Sequence, residues 1–274
     1  MLITTLVENT INKPGLIGEH GLSFLIKTEE EEILFDTGQG NAILHNAKLM
    51  SVDLSRIKKI ILSHGHYDHT GGLKTILKLM DDVHIYGHPN IFDKKYAKDR
   101  EKQRYIGISY TKEELETKGV QLHLEREPIQ ITNRIKTSGE IKRKTDFETI
   151  SDRLCVMRDG ELVKDDILDD LSLIISGREG ISIILGCGHS GVINILEHTQ
   201  MITNNVPISY LIGGIHLIDT NKNTIHKTID RLKEFNIGKM ALCHCTGFYA
   251  LSELQRAFGD KLIINNTGDK IDLG

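Results

Sequence analysis

Lys58-Lys59-Ile60-Ile61-Leu62-Ser63, a short run rich in β-branched residues, passes directly into His64-Gly65-His66-Tyr67-Asp68-His69-Thr70-Gly71-Gly72. The run suits a buried strand, and the Gly-Gly pair precedes residues 73–80, whose apolar spacing reads as a helix. The histidine-rich stretch is therefore a loop between a strand and a helix. Four metal-capable side chains within these six residues, 64–69, cannot share one face of a strand or a helix. A loop at a strand end can aim two imidazoles at one ion and a carboxylate with an imidazole at another. A two-metal site, with ions roughly 3.5–4 Å apart, makes that demand.

Six residues cannot close two coordination spheres, so further donors must come from elsewhere. Three more histidines stand at expected strand ends. His189 lies in Gly186-Cys187-Gly188-His189-Ser190-Gly191, after an apolar run at 181–185 and before a helical pattern at 192–203. His216 follows Gly213-Gly214-Ile215 after the run 208–212, and His244 follows the run 239–243 within Cys243-His244-Cys245-Thr246-Gly247. Loops at the carboxyl ends of strands are where α/β folds place their sites. The other histidines, at 20, 45, 84, 88, 123, 198 and 226, lack such settings and read as surface or packed residues. Strand alternation would point Cys243 and Cys245 away from His244, which makes them packing residues.

Around these loops the chain alternates strand and helix, which sets the α/β class. Residues 22–27 and 33–35 read as a hairpin with a charged tip, and 154–158 with 161–164 as a second hairpin around Asp159-Gly160. Both halves run from antiparallel hairpins into strand and helix alternation, as expected of two sheets packed face to face with helices outside. Residues 89–153, with a highly charged stretch at 93–104, read as an elaboration on one domain spanning 1–274, since no Pro/Gly/Ser linker brackets them. The basic segment 134–144 reads as a solvated loop, with an anionic-substrate contact as the alternative.

Composition excludes several classes. The 4 cysteines are too sparse for a disulfide scaffold, and the start, MLITTLVENT, has no basic region followed by an apolar one, so the expected compartment is the cytoplasm. No stretch approaches the roughly 20 apolar residues of a membrane span. With 34 basic against 38 acidic residues and only 5% aromatics, nothing favours nucleic acid as a partner.

The motif His64-x-His66-x-Asp68-His69, preceded by a strand and an Asp36-Thr37-Gly38 turn, resembles the metallo-β-lactamase superfamily. The resemblance covers essentially the whole chain and implies a four-layer αβ/βα sandwich with two divalent metal ions, zinc first and manganese or iron as alternatives. Phe35 to Gln39, Ser63 to Leu73, Gly186 to Asn194, Gly213 to Leu217 and His244 to Gly247 together are similar to one branch of it. That branch contains the archaeal dihydropterin ribofuranosylaminobenzene phosphate synthase of methanopterin biosynthesis.

The resemblance implies a first metal on His64, His66 and His189 and a second on Asp68, His69 and His244. One position departs from the pattern. Most hydrolases of this fold supply a bridging Asp where this chain has Cys187, which is either a soft ligand on the second metal or a small buried residue. Asp36 is expected to orient a ligating imidazole. Asp68 and His216 are the expected catalytic groups, His216 as proton donor or substrate contact. Thr246 and Gly247, opening a helix, are expected to bind a substrate anion.

The resulting expectation is a metal-dependent hydrolase of a phosphate-bearing or ester small molecule. The alternative is a synthase-like transferase releasing diphosphate, and a non-catalytic metal-binding regulator ranks below both. An iron oxygen-reductase of this fold would carry Glu at the position of His66 and is disfavoured, as is a true β-lactam hydrolase.

Overall fold

In the computed structural model the histidine-rich loop leaves the strand Lys59–Ile61, which lies inside a seven-stranded sheet. Residues 1–100 and 102–274 are described, and they divide into two compact units. The first comprises Met1–Arg126, Ile150–Asp169 and Asn266–Asp272.

Its sheet runs, edge to edge, through Lys270–Asp272, Leu2–Val7, Ser23–Lys27, Glu32–Phe35, Lys59–Ile61, His84–Gly87 and Gln121–Leu124. The first three pairings are antiparallel and the rest parallel. Pairing of Phe24 with Phe35 fixes the register of the hairpin expected at 22–35. One face of this sheet buries Leu34, Ile60, Leu62 and Ile85 against Ile43, Leu73, Ile76 and Leu115 from helical segments. Each such aliphatic side chain contributes roughly 1.5–3 kcal/mol when fully buried. The helix expected at 73–80 is a single turn, Leu73–Ile76.

The first unit also holds a four-stranded antiparallel sheet in the order Glu161–Lys164, Leu154–Arg158, Lys95–Asp99, Lys102–Tyr105. Asp159 (φ 50°) and Gly160 (φ 87°) make the left-handed pair that a tight two-residue hairpin needs.

The second unit, Glu127–Thr149, Asp170–Asn265 and Leu273–Gly274, is built on a six-stranded sheet. Its order is Leu262–Ile264, Ile237–Leu242, Ile208–Gly213, Ile181–Leu185, Ser172–Ser176, Ile135–Thr137. The first four strands are parallel, and helices Val192–Ile202, Lys222–Leu232 and Phe248–Phe258 connect them. Ile183, Leu185 and Leu211 pack with Ile193, Leu196, Ile225, Ile229 and Leu254 in one core cluster. Because these strands are parallel, their carboxyl ends share one edge, where residues 186–191, 214–217 and 243–247 emerge.

Candidate metal centre

In the first unit, every donor of the histidine-rich loop is buried: His64, His66, Asp68 and His69 are each less than one-tenth exposed. His64 Nε2 lies 2.9 Å from His66 Nδ1, so two imidazole nitrogens converge on one point. Their other ends are anchored or enclosed. His64 Nδ1 is 2.9 Å from Ser63 Oγ, and His69 Nδ1 is 2.7 Å from Asp36 Oδ2. Asp36 also accepts the Ser63 backbone N–H at 2.7 Å and the Ser63 hydroxyl at 2.6 Å. A carboxylate on Nδ1 fixes the tautomer of His69 and leaves Nε2 as the donor, 3.6 Å from Asp68 Oδ2. Asp36 sits in the left-handed region (φ 58°), a conformation held by these contacts.

The donor chemistry fits a metal. Burial lowers the pKa of His66 to about 3, with Asp68 opposing that shift, so the ring is neutral and has a lone pair to offer at physiological pH. Gly65 between the two histidines is dictated by space, since a Cβ there would lie 2.2 Å from Ile91 O.

Three supports were not legible in the sequence. His20, expected to be a surface or packed histidine, places Nε2 3.2 Å from Asp68 Oδ2, because the Leu22 backbone N–H donates to Asp68 O and brings residue 20 alongside. Glu19 accepts backbone N–H groups from Gln39, Gly40, Asn41 and Ala42, holding the turn that follows Asp36. Lys95, in the charged stretch, is buried between Asp165 and Asp169 at 2.8 Å from each, and Asp169 Oδ2 accepts the Gly65 N–H at 2.7 Å. Burial alone would lower the Lys95 pKa, but the carboxylates of Asp169 and Asp165 outweigh it and raise the value.

In the second unit, the carboxyl edge gathers Cys187, His189, His216, His244 and Cys245. The donor atoms of Cys187, His189 and His216 lie within 4.8 Å of one another, as do those of Cys187, His244 and Cys245. The His189 and His216 rings stand 4.1 Å apart. Both His216 (φ 44°) and His244 (φ 53°) adopt left-handed backbone, unusual for a side chain with a Cβ.

That geometry corrects the expectation for Cys245. Residues His244–Thr246 form a 3₁₀ turn, so strand alternation stops at Leu242 and Cys245 turns toward Cys187, its thiol donating to Cys187 O at 3.3 Å. Burial would push the Cys245 thiol up, yet contacts with Cys187 and His216 and the charge of His244 and His216 bring it well below the usual thiol value. Cys243 instead faces Asn265, whose amide lies 3.8 Å from its Sγ.

Thr246 is buried and its hydroxyl accepts the Ile215 N–H at 3.3 Å, which ties down the residue before His216. Gly247 (φ 80°) opens the helix Phe248–Phe258 and brings no side chain to its first amides. Asp170 Oδ2 accepts the Ser190 N–H at 2.7 Å and so steadies the turn after His189. Burial pushes its carboxyl up to about 6 against those hydrogen bonds.

No helix among the described residues is long and apolar enough to cross a membrane. The family model for the Metallo-beta-lactamase superfamily matches residues 16–193. The 7,8-dihydropterin-6-methyl-4-(beta-D-ribofuranosyl)-aminobenzene-5'-phosphate synthase of Methanocaldococcus jannaschii is 37% identical over 252 residues, covering 88% of this chain and 85% of that one. A second protein of that organism, described as uncharacterized, is 34% identical over 93% of this chain and 94% of its own. The crystal structure of Tm1679, described as a metal-dependent hydrolase of the beta-lactamase superfamily, superposes with a TM-score of 0.86 at 30% identity, covering 100% of this chain and 99% of that one. The chain belongs to the metallo-β-lactamase superfamily of enzymes and has its α/β fold.

Proposed function

We propose that the protein is a metal-dependent enzyme that cleaves a phosphate-bearing or ester small molecule. The observation that carries this reading is the convergence of His64 Nε2 and His66 Nδ1, 2.9 Å apart and buried, beside an Asp36-anchored His69. By the family pattern, His64, His66 and His189 hold one divalent ion, and Asp68, His69 and His244 a second, with zinc the first choice. Two such ions, when bound, lower the pKa of a water toward neutrality and polarise a phosphoryl or ester oxygen.

The chain's own residues then supply orientation and charge. Asp36 fixes the His69 ring, and Asp169 fixes the backbone of Gly65. Asp68, with His20 at 3.2 Å, is the acceptor beside the reacting centre, and His216 is the proton donor or substrate contact. The amides opening Phe248–Phe258, next to Thr246 and Gly247, offer a positive pole to a substrate anion.

A second reading is favoured by the relative that is 37% identical over most of both chains: a synthase-like transfer in which diphosphate leaves as an aryl acceptor joins a pterin carbon. Diphosphate release from a pterin diphosphate, measured with and without an aryl ribose phosphate, separates the two. Release that needs the acceptor supports transfer, and release without it supports hydrolysis. No turnover of phosphate, diphosphate or ester substrates by metal-loaded protein, with His66→Ala retaining full metal content, overturns both.

A further inference from the structure

The second unit brings two thiols to one histidine. Sγ of Cys187, Sγ of Cys245 and a ring nitrogen of His244 lie within 4.8 Å of one another, all three residues nearly sealed from solvent. Ligands about 2.3 Å from one zinc ion stand roughly 3.8 Å apart, and donor atoms all within 4.8 Å of one another are close enough to reach a common ion. From this clustering we infer that Cys187 and Cys245 are both thiolate ligands of the metal held by His244, an assignment that rests on the proposed role of His244.

The local backbone is shaped for it. His244 has φ 53° and opens a 3₁₀ turn, which places residues 244 and 245 side by side where a continued strand would set them on opposite faces. Gly214 leaves the space that Cys245 occupies, because a Cβ there would lie 2.5 Å from its Sγ. Cys243, the third thiol of the region, is turned to Asn265. The cluster is thus specific to two of the three cysteines. On binding, each thiol releases its proton to solvent and its sulfur lone pair takes the ion. Two soft donors favour zinc, cobalt or iron over magnesium or manganese.

The test is cobalt loading of the reduced full-length protein, with cobalt content measured by elemental analysis and thiolate-to-cobalt charge transfer by near-ultraviolet absorption. The expected result is an intense band that falls by about half in Cys187→Ser and in Cys245→Ser, vanishes in the double variant and is unchanged in Cys243→Ser. Full intensity in Cys245→Ser overturns the inference. Cobalt bound without any such band overturns it while leaving the proposed function standing, whereas a protein that takes up no cobalt overturns both. Should a serine variant fail to fold, X-ray absorption at the cobalt edge of the wild type decides the matter: two sulfur neighbours per chain are expected, and fewer contradict the assignment.

Discussion

Lys95 and Asp169 meet at 2.8 Å with both side chains sealed from water, and the second oxygen of that carboxylate accepts the N–H of Gly65 at 2.7 Å. The ion pair therefore reaches the backbone between His64 and His66. Asp165 shares the same ammonium at 2.8 Å. Removing the cation would leave two buried carboxylates without a counter-charge, which typically costs about 3–5 kcal/mol. Lys95→Met should lose that much unfolding free energy in urea titrations. Because the pairing raises the Lys95 pKa, its contribution is complete below the ordinary lysine value and is lost only as pH rises through the higher folded value. The deficit of the variant should thus be the same at pH 7 as at about pH 9. A loss under about 0.5 kcal/mol would show that the charges are solvated.

Asp36 carries the orientation of His69. The two oxygens of Asp36 divide these contacts, Oδ1 accepting the Ser63 N–H and Oδ2 meeting Ser63 Oγ and His69 Nδ1, and an amide keeps only one acceptor oxygen, so its NH2 would face donors on one side or the other. Asp36→Asn should weaken metal binding by about 10–100-fold, as outer partners of metal ligands commonly do. Competition with a chromophoric zinc chelator measures it, and wild-type affinity in the variant would remove Asp36 from the site.

These two predictions differ in how far the sequence led to them. The histidine-rich loop was readable because a β-branched strand and a Gly-Gly pair bracket it, and Asp36 because it follows its strand in a fixed turn. Lys95 was hidden. Residues 93–104 carry so many charges that strand alternation is masked, yet Lys95–Asp99 and Lys102–Tyr105 pair as strands, and the partners of Lys95 lie 70 and 74 residues along the chain. Such distant pairing leaves no local signature. Cys245 escapes the sequence because strand alternation ends at Leu242, and the left-handed backbone at His244 that ends it has no glycine to announce it.

Glu148 gives a pH test on a residue outside the proposed donor set. Its carboxyl caps the helix Val192–Ile202, accepting N–H groups of Ile193 at 2.8 Å and Asn194 at 3.1 Å, while burial pushes its pKa up and those bonds hold it back. A raised folded pKa means the contribution is full below the unfolded value of about 4.3 and declines as pH rises through the folded one. The stability advantage of wild type over Glu148→Gln should therefore shrink between about pH 4 and pH 7. An advantage that grows over this range would mean that the hydrogen bonds outweigh burial.

The metal assignment predicts about two transition-metal ions per chain after loading. His66→Ala should abolish the tighter site, and His244→Ala should chiefly lower occupancy of the weaker one. Unchanged metal in both variants, by elemental analysis, would sink the assignment.

Thr246 allows the proposed anion site to be tested apart from the proposed metals. Its hydroxyl accepts the Ile215 N–H at 3.3 Å, and the helix that begins after Gly247 adds uncapped amides and the positive end of its dipole. Inorganic phosphate should bind to metal-loaded protein there, as titration calorimetry would register. Thr246→Ser keeps the acceptor for Ile215 and should bind as wild type does. Thr246→Val removes it, loosening the approach to the helix start, and should weaken phosphate binding several-fold, on the order of 1 kcal/mol for one lost hydrogen bond, with metal content intact. Equal phosphate affinity in all three proteins would place the anion elsewhere, and the basic segment around Arg143 would be the next candidate.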